Sequence, residues 1–305
     1  MKRFWCCFIA TLVLVVSLNL QAQEGRARQG QRAPVVLPEG TQEFRDISYV
    51  PDGHQNQKLD LFLPESGVSR PLIIYIHGGG FSRGSKAQQL PPASYLEKGY
   101  AVASLNYRLS QDAIFPAALE DVKTAVRWLR ANADEYGVDP NRFAAWGQSA
   151  GSYFAIMLGV TSGVSEFEVG ENQDVSSAVQ VVLDNYGPTD FAQMDAHRLP
   201  GGQEHNLADS FESQFIGGAL QENLEAVARA NPITYISEGD APMLVVHGDA
   251  DPLVPHHQSE ILVEALQAAG VEVEFYTVAG GGHGRFTDPK VGELIAMTLE
   301  EYFGQ

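Results

Sequence analysis

The sequence predicts a doubly wound, mostly parallel α/β sheet with one large core. Three observations predict it. First, five short segments are almost wholly apolar until they break: "PLIIYIHGGG", "YAVASLNY", "RFAAWGQSAG", "AVQVVLDNYG" and "PMLVVHGD". Such runs suit parallel strands buried on both faces. Second, helical periodicity lies between them, clearest over residues 116–136, where Leu119, Val122, Ala125, Val126 and Leu129 recur on one face. Third, 305 residues with 44% hydrophobic and 19% charged side chains suffice for a single large core.

Along the chain, residues 1–22 have the pattern of a signal peptide. Lys2 and Arg3 precede an apolar run over residues 4–18, and Ala22 is the small residue before a cleavage point. The run is short for a membrane span. The expectation is a secreted or periplasmic protein with no stable membrane association after cleavage. Cys6 and Cys7, the only cysteines, would leave with that segment, so no disulfide or thiolate metal site is expected. Residues 23–42, rich in Gln, Arg, Gly and Pro, have the composition of a flexible leader. The folded domain is expected over residues 43–305.

"RDISYV" and "KLDLFLP" alternate apolar and polar residues, an antiparallel pair joined through a turn at Asp52-Gly53. The 116–136 helix opens at Pro116 and stops at Gly137. Two further helices are expected over residues 258–269 and 291–302. Trp128 and Trp146 sit in apolar patterns and read as core residues. Residues 191–230 break the rhythm with a long polar stretch containing two short helices, "FESQFIGG" and "LEAVARA". A connection of this length suggests a lid-like insertion forming one wall of a cleft. The formal charge of −18 argues against nucleic acid or an anionic membrane surface as partner. A neutral small-molecule or oligosaccharide substrate fits it better; the oligomeric state is not encoded legibly.

In an open α/β sheet, ligands gather at the carboxyl ends of the strands. Four strand ends carry chemistry. "GQSAG" flanks Ser149 with Gly147 and Gly151, the pattern of a nucleophile elbow. A serine hydroxyl needs a base, and histidine suits the task near neutral pH. His283, in a glycine-rich segment after the last apolar run, stands in the right chain order. The other histidines have structural readings. His54 lies in a turn, His197 and His205 in the insertion, and His256 and His257 at a solvated helix start. His247 orders the loop that follows it. His77, with Gly78, orients the glycine loop "HGGGF". The tetrahedral intermediate of acyl transfer needs aimed N–H donors, and Gly79, Gly80 and Ala150 are candidates. A carboxylate must hold the base, and "HGDADPLVP" offers both Asp249 and Asp251; spacing alone leaves them even.

Two patterns imitate other chemistries. "GGFSRGSK" resembles a phosphate loop, but Ser85-Lys86 is the reverse of the required order. His247, Asp249 and Asp251 could suggest a metal, yet a turn plus one acid accounts for them. No cofactor or metal is expected.

Taken together, "YIHGGGFSRGSK", "WGQSAG", "DNYGPTDF", "ANPITYI", "HGDADPLVP" and "GGGHG" resemble the secreted α/β-hydrolase esterases grouped with feruloyl- and acetyl-esterase-like proteins, relatives of the hormone-sensitive-lipase family. The resemblance spans about residues 44–303. It implies an α/β-hydrolase fold, Ser149 as nucleophile, His283 as base and Asp251 as acid, which separates the two aspartates. It also implies a serine carboxylic-ester hydrolase working through an acyl-enzyme. The expected substrates are acetyl or feruloyl esters of plant polysaccharide fragments, or small soluble esters. An exported peptidase of the same fold would use the same triad; no large N-terminal domain precedes the sheet, which favours the esterase. A non-catalytic binding protein would need a broken triad. Gln148 and Arg285 depart from the family pattern, which often has Glu and an aromatic there.

Overall fold

The computed structural model describes residues 36–304 except Gln89 and Arg285. The expected signal peptide, most of the leader and the departure at Arg285 therefore lie outside the described residues. The fold is that of the unit Leu37–Gln305.

The alternating segments form an antiparallel pair, β1 (Gln42–Ser48) and β2 (Lys58–Leu63). Beyond them, β3 (Arg70–Ile76), β4 (Ala101–Leu105), β5 (Val138–Gln148), β6 (Val181–Asn185), β7 (Met243–Gly248) and β8 (Val273–Val278) complete one sheet. The order is β1-β2-β4-β3-β5-β6-β7-β8. β2 runs antiparallel to β4, and every pairing from β4 to β8 is parallel. This is an α/β-hydrolase fold, a mostly parallel sheet with helices on both faces. β5 is longer than its apolar run because Val138 pairs with Arg70 across a register shift.

The sheet separates two cores. One face carries Leu72, Ile74, Phe143 and Ala145 under α1 (Ala117–Ala131) and α2 (Ala150–Val160). The other carries Ile73, Tyr75, Ala144 and Trp146. The period-two alternation of each strand explains the partition. The 116–136 helix ends its first segment at Ala131, and a short second turn, Ala133–Tyr136, reaches Gly137 in a left-handed conformation. Trp146 is buried, whereas Trp128 is only half-buried at the edge of its core.

Residues 191–230 are more firmly held than their polarity suggests. They contain α3 (Phe211–Ile216) and α4 (Leu224–Arg229). Phe191, Met194, Phe215 and Leu220 are buried in the main core. Phe215 stacks on Phe81 with ring centroids 4.1 Å apart, and Phe191 meets Phe81 edge-on at 5.9 Å. Residues 198–209 and 221–229 are mostly exposed. The insertion is thus clamped to the loop carrying the glycines of "HGGGF". The helix expected over 258–269 is α5 (His257–Ala268), and the last is α6 (Pro289–Phe303).

Candidate active site

The apolar strand β5 stops at Gln148 and α2 begins at Ala150, so Ser149 alone makes the bend. Its backbone sits at φ 54° and ψ −127°, a region that L residues rarely occupy. Two contacts explain the glycines on either side. A Cβ on Gly147 would lie 2.3 Å from the carbonyl carbon and oxygen of Gly151, and one on Gly151 would lie 2.1 Å from the Ile76 oxygen. The amide of Ser149 donates to the carbonyl of Asn185 at the end of β6 (3.0 Å). The bend is therefore pinned to both neighbouring strands.

Three side chains from distant segments meet there. His283 Nε2 lies 3.0 Å from Ser149 Oγ, and His283 Nδ1 lies 2.7 Å from Asp251 Oδ2. Asp249 is elsewhere, accepting the amide of Gly280 (2.6 Å) and tying the β7 loop to the turn after β8. The geometry thus separates the two aspartates that spacing left even. Asp251 is 1% exposed. Burial alone would raise its pKa, but hydrogen bonds from His247 and His283 and the amide of Val254 hold it far below the usual carboxylate range. It stays a carboxylate at any working pH.

The glycine loop lies beside Ser149. Gly78 packs so closely that a Cβ there would lie 2.6 Å from the Gln148 oxygen. The amides of Gly79, Gly80 and Ala150 donate to no group among the described residues. The first two are half-exposed, and the third begins α2, where helical amides have no internal partner. His77 is buried and stacked on Tyr107 at 4.5 Å. Burial pushes its pKa down to about 4, so the ring is neutral and Nδ1–H donates to the Gly78 carbonyl (2.8 Å). The Tyr107 hydroxyl donates to the His77 carbonyl (2.7 Å).

Several participants carried no sequence signal strong enough to single them out. Tyr186, at φ 51°, presents its ring edge-on to His283 at 4.7 Å. Phe211 packs against Gly80, and the Arg83 guanidinium lies 4.8 Å from the Phe211 ring centre. Only spatial neighbours reveal such roles. His256 and His257, expected at a solvated helix start, are half-buried. His256 lies against Phe275 and bonds to Thr277 Oγ1 (2.9 Å), and His257 stacks on His197 at 3.4 Å. Rings from β8 and the insertion thus lie against part of this helix start.

Two cavities flank the triad. One of about 500 Å³ follows the loop of His283. The other, about 300 Å³, lies between Gln148, Asn185 and the rings of Tyr75, Tyr95, Trp146 and Phe286. Gln148 faces this space in place of the family's frequent Glu, leaving the cavity wall without a charge at that point.

A family model, BD-FAE, matches residues 59–266. The chain belongs to the BD-FAE family. Among relatives, the esterase LipQ of Mycobacterium tuberculosis is 30% identical over 85% of this chain and 61% of its own length. The esterase LipC of the same organism is 28% identical over 70% and 53%. This BD-FAE chain thus spans little more than half the length of these curated relatives. Among solved structures, a truncated carbohydrate esterase from gut microbiota superposes with a TM-score of 0.78 at 31% identity, covering 87% of this chain and 99% of its own. A bifunctional GH43-CE protein of Bacteroides eggerthii gives 0.77 at 36% identity, over 86% and 38%.

One buried acid near the site generates a stability prediction. Asp184, fully buried on β6, accepts the amide of Gly187 (2.8 Å), and burial raises its pKa to about 6. The folded state therefore holds this proton more tightly than the unfolded chain, and stability falls as pH rises from near 4 through 6. Asp184→Asn keeps the acceptor for Gly187 and removes the ionisation. Its stability relative to wild type should improve by on the order of 2 kcal/mol between pH 4 and pH 7.5. Denaturant unfolding at both pH values checks this; an unchanged difference would contradict it.

Proposed function

We propose that this protein is a serine carboxylic-ester hydrolase that works through an acyl-enzyme. The observation that carries the reading is the continuous line Ser149 Oγ–His283–Asp251, with separations of 3.0 and 2.7 Å. The likeness to named esterases and carbohydrate esterases supports it.

The chemistry follows from the arrangement. His283 Nε2 takes the proton of Ser149 as Oγ attacks the ester carbonyl. Asp251 keeps the proton of the neutral imidazole on Nδ1 and stabilises the imidazolium. The carbonyl oxygen becomes an oxyanion held by the amides of Gly79, Gly80 and Ala150. Collapse expels the alcohol, which takes its proton from His283. Water then attacks the acyl-enzyme by the same route in reverse and releases the acid, restoring Ser149. No step needs a cofactor.

We assign its substrates to acetyl or feruloyl esters of plant polysaccharide fragments, or to small soluble esters. The half-exposed glycine amides beside Ser149 leave the attack site open to an ester carried on a larger fragment. Acetylated xylo-oligosaccharide, methyl ferulate, p-nitrophenyl acetate and a prolyl peptide amide, assayed together, sort these classes. Turnover of the peptide amide alone would refute the ester reading.

Ser149→Ala should lower kcat on p-nitrophenyl acetate by about 10³-fold or more. Asp251→Asn should cost at least about a hundredfold more than Asp249→Asn, because only Asp251 sets the proton position of the base. Equal losses in the two aspartate variants would contradict the assignment.

A further inference from the structure

Asp251 is held from two sides, and only one of them belongs to the triad. His283 Nδ1 approaches Oδ2 at 2.7 Å; His247 Nε2 approaches the same oxygen at 3.3 Å. The remaining oxygen, Oδ1, accepts the amides of Leu253 (2.7 Å) and Val254 (3.0 Å). His247 is the last residue but one of β7 and is 0% exposed. Its Nε2 also lies 3.1 Å from the Val254 carbonyl oxygen. Both groups facing Nε2 are acceptors, so a bare lone pair there would be repelled twice. In the neutral ring the proton sits on Nε2, and Nδ1 must accept. The donor is Ser259, fully buried on α5, whose Oγ lies 2.7 Å from His247 Nδ1.

We infer that Ser259 and His247 are positioning residues that extend the Ser149–His283–Asp251 line by two members. Ser259 fixes the tautomer of His247, and His247 Nε2–H holds the Asp251 carboxylate in line with His283. The inference rests on the ester-hydrolase reading of the site. A carboxylate held only by the two backbone amides on Oδ1 could still swing Oδ2 about that anchor. A second donor on Oδ2, besides His283, restricts that freedom. The same ring bridges Asp251 and the Val254 carbonyl, so it also fixes the loop that presents the acid. Loop ordering alone is the sequence-based role of His247; its approach to Asp251 and its bond to Ser259 give it a part in the geometry of the base.

A positioning role makes demands that a packing role does not. His247→Leu removes the donor while keeping an apolar filling. It should lower kcat on p-nitrophenyl acetate about tenfold or more and leave KM within about threefold, because Asp251 does not touch the substrate. His247→Gln places an amide N–H toward Oδ2 and should recover most of that loss. Ser259→Ala should lose roughly threefold to tenfold in kcat while Tm falls by only a few degrees, so that the variant stays folded at assay temperature. It serves as the probe where His247→Leu does not fold.

The decisive readout is a double-mutant cycle. In an Asp251→Asn background, His247→Leu or Ser259→Ala should change kcat by less than about twofold, since the group they act through is already disabled. Multiplicative losses in that background would overturn the inference. So would His247→Gln no better than His247→Leu, or His247→Leu at the wild-type rate while Asp251→Asn is impaired. An undiminished Asp251→Asn variant would overturn the hydrolase reading itself, and this inference with it.

Discussion

The structure turns on a backbone conformation that serine does not choose for itself. At φ 54° Ser149 is strained by about 1–3 kcal/mol, and its surroundings must enforce the bend. Gly147 and Gly151 let the two arms of the turn approach within a distance that any side chain would block. The Ser149 amide is tied to β6, and Gly78 closes against the Gln148 carbonyl from β3. The bend throws the hydroxyl above the sheet edge and frees the Ala150 amide at the start of a helix. The position of the Ser149 hydroxyl and the free Ala150 amide are thus consequences of one turn.

Around it, buried polar groups settle their charge in different ways. Asp251 carries its charge at 1% exposure because four donors converge on it. A buried charge without such partners would neutralise or disrupt the core. His77 takes the opposite course: buried and neutral, it spends its one N–H on the glycine loop. The insertion contributes aromatic packing, with Phe191 and Phe215 gripping Phe81 in the loop that bears Gly79 and Gly80. A segment that reads as polar excursion therefore braces the site.

Much of this was legible in the sequence, for physical reasons. Parallel strands buried on both faces announce themselves as apolar runs, and the chemistry must lie where those runs stop. Ser149 and His283 were visible because each follows such a run beside glycines that leave backbone uncovered. The sheet order was not legible, since pairing partners far apart in sequence leave no local trace. Asp249 and Asp251 could not be separated by spacing. Both end the same strand, and only the return of the β8 turn, which takes Asp249 onto Gly280, leaves Asp251 for His283. Ser259, Phe211 and Tyr186 were hidden for a similar reason. An ordinary helix serine, a phenylalanine opening a short helix and a tyrosine before a glycine acquire meaning only from what folds against them. The ring contacts of His256 and His257 are equally illegible, because a polar pair at a helix start gives no hint of Phe275 or His197 beside it.

The central claim is that Ser149 is a nucleophile activated by His283, and covalent trapping tests it most directly. The full-length protein treated with diethyl p-nitrophenyl phosphate should gain a single diethylphosphoryl group, with release of one equivalent of p-nitrophenol. Peptide mapping by mass spectrometry should place the group on Ser149, and Ser149→Ala should gain none. An adduct on another residue, or no adduct while ester turnover persists, would contradict the account.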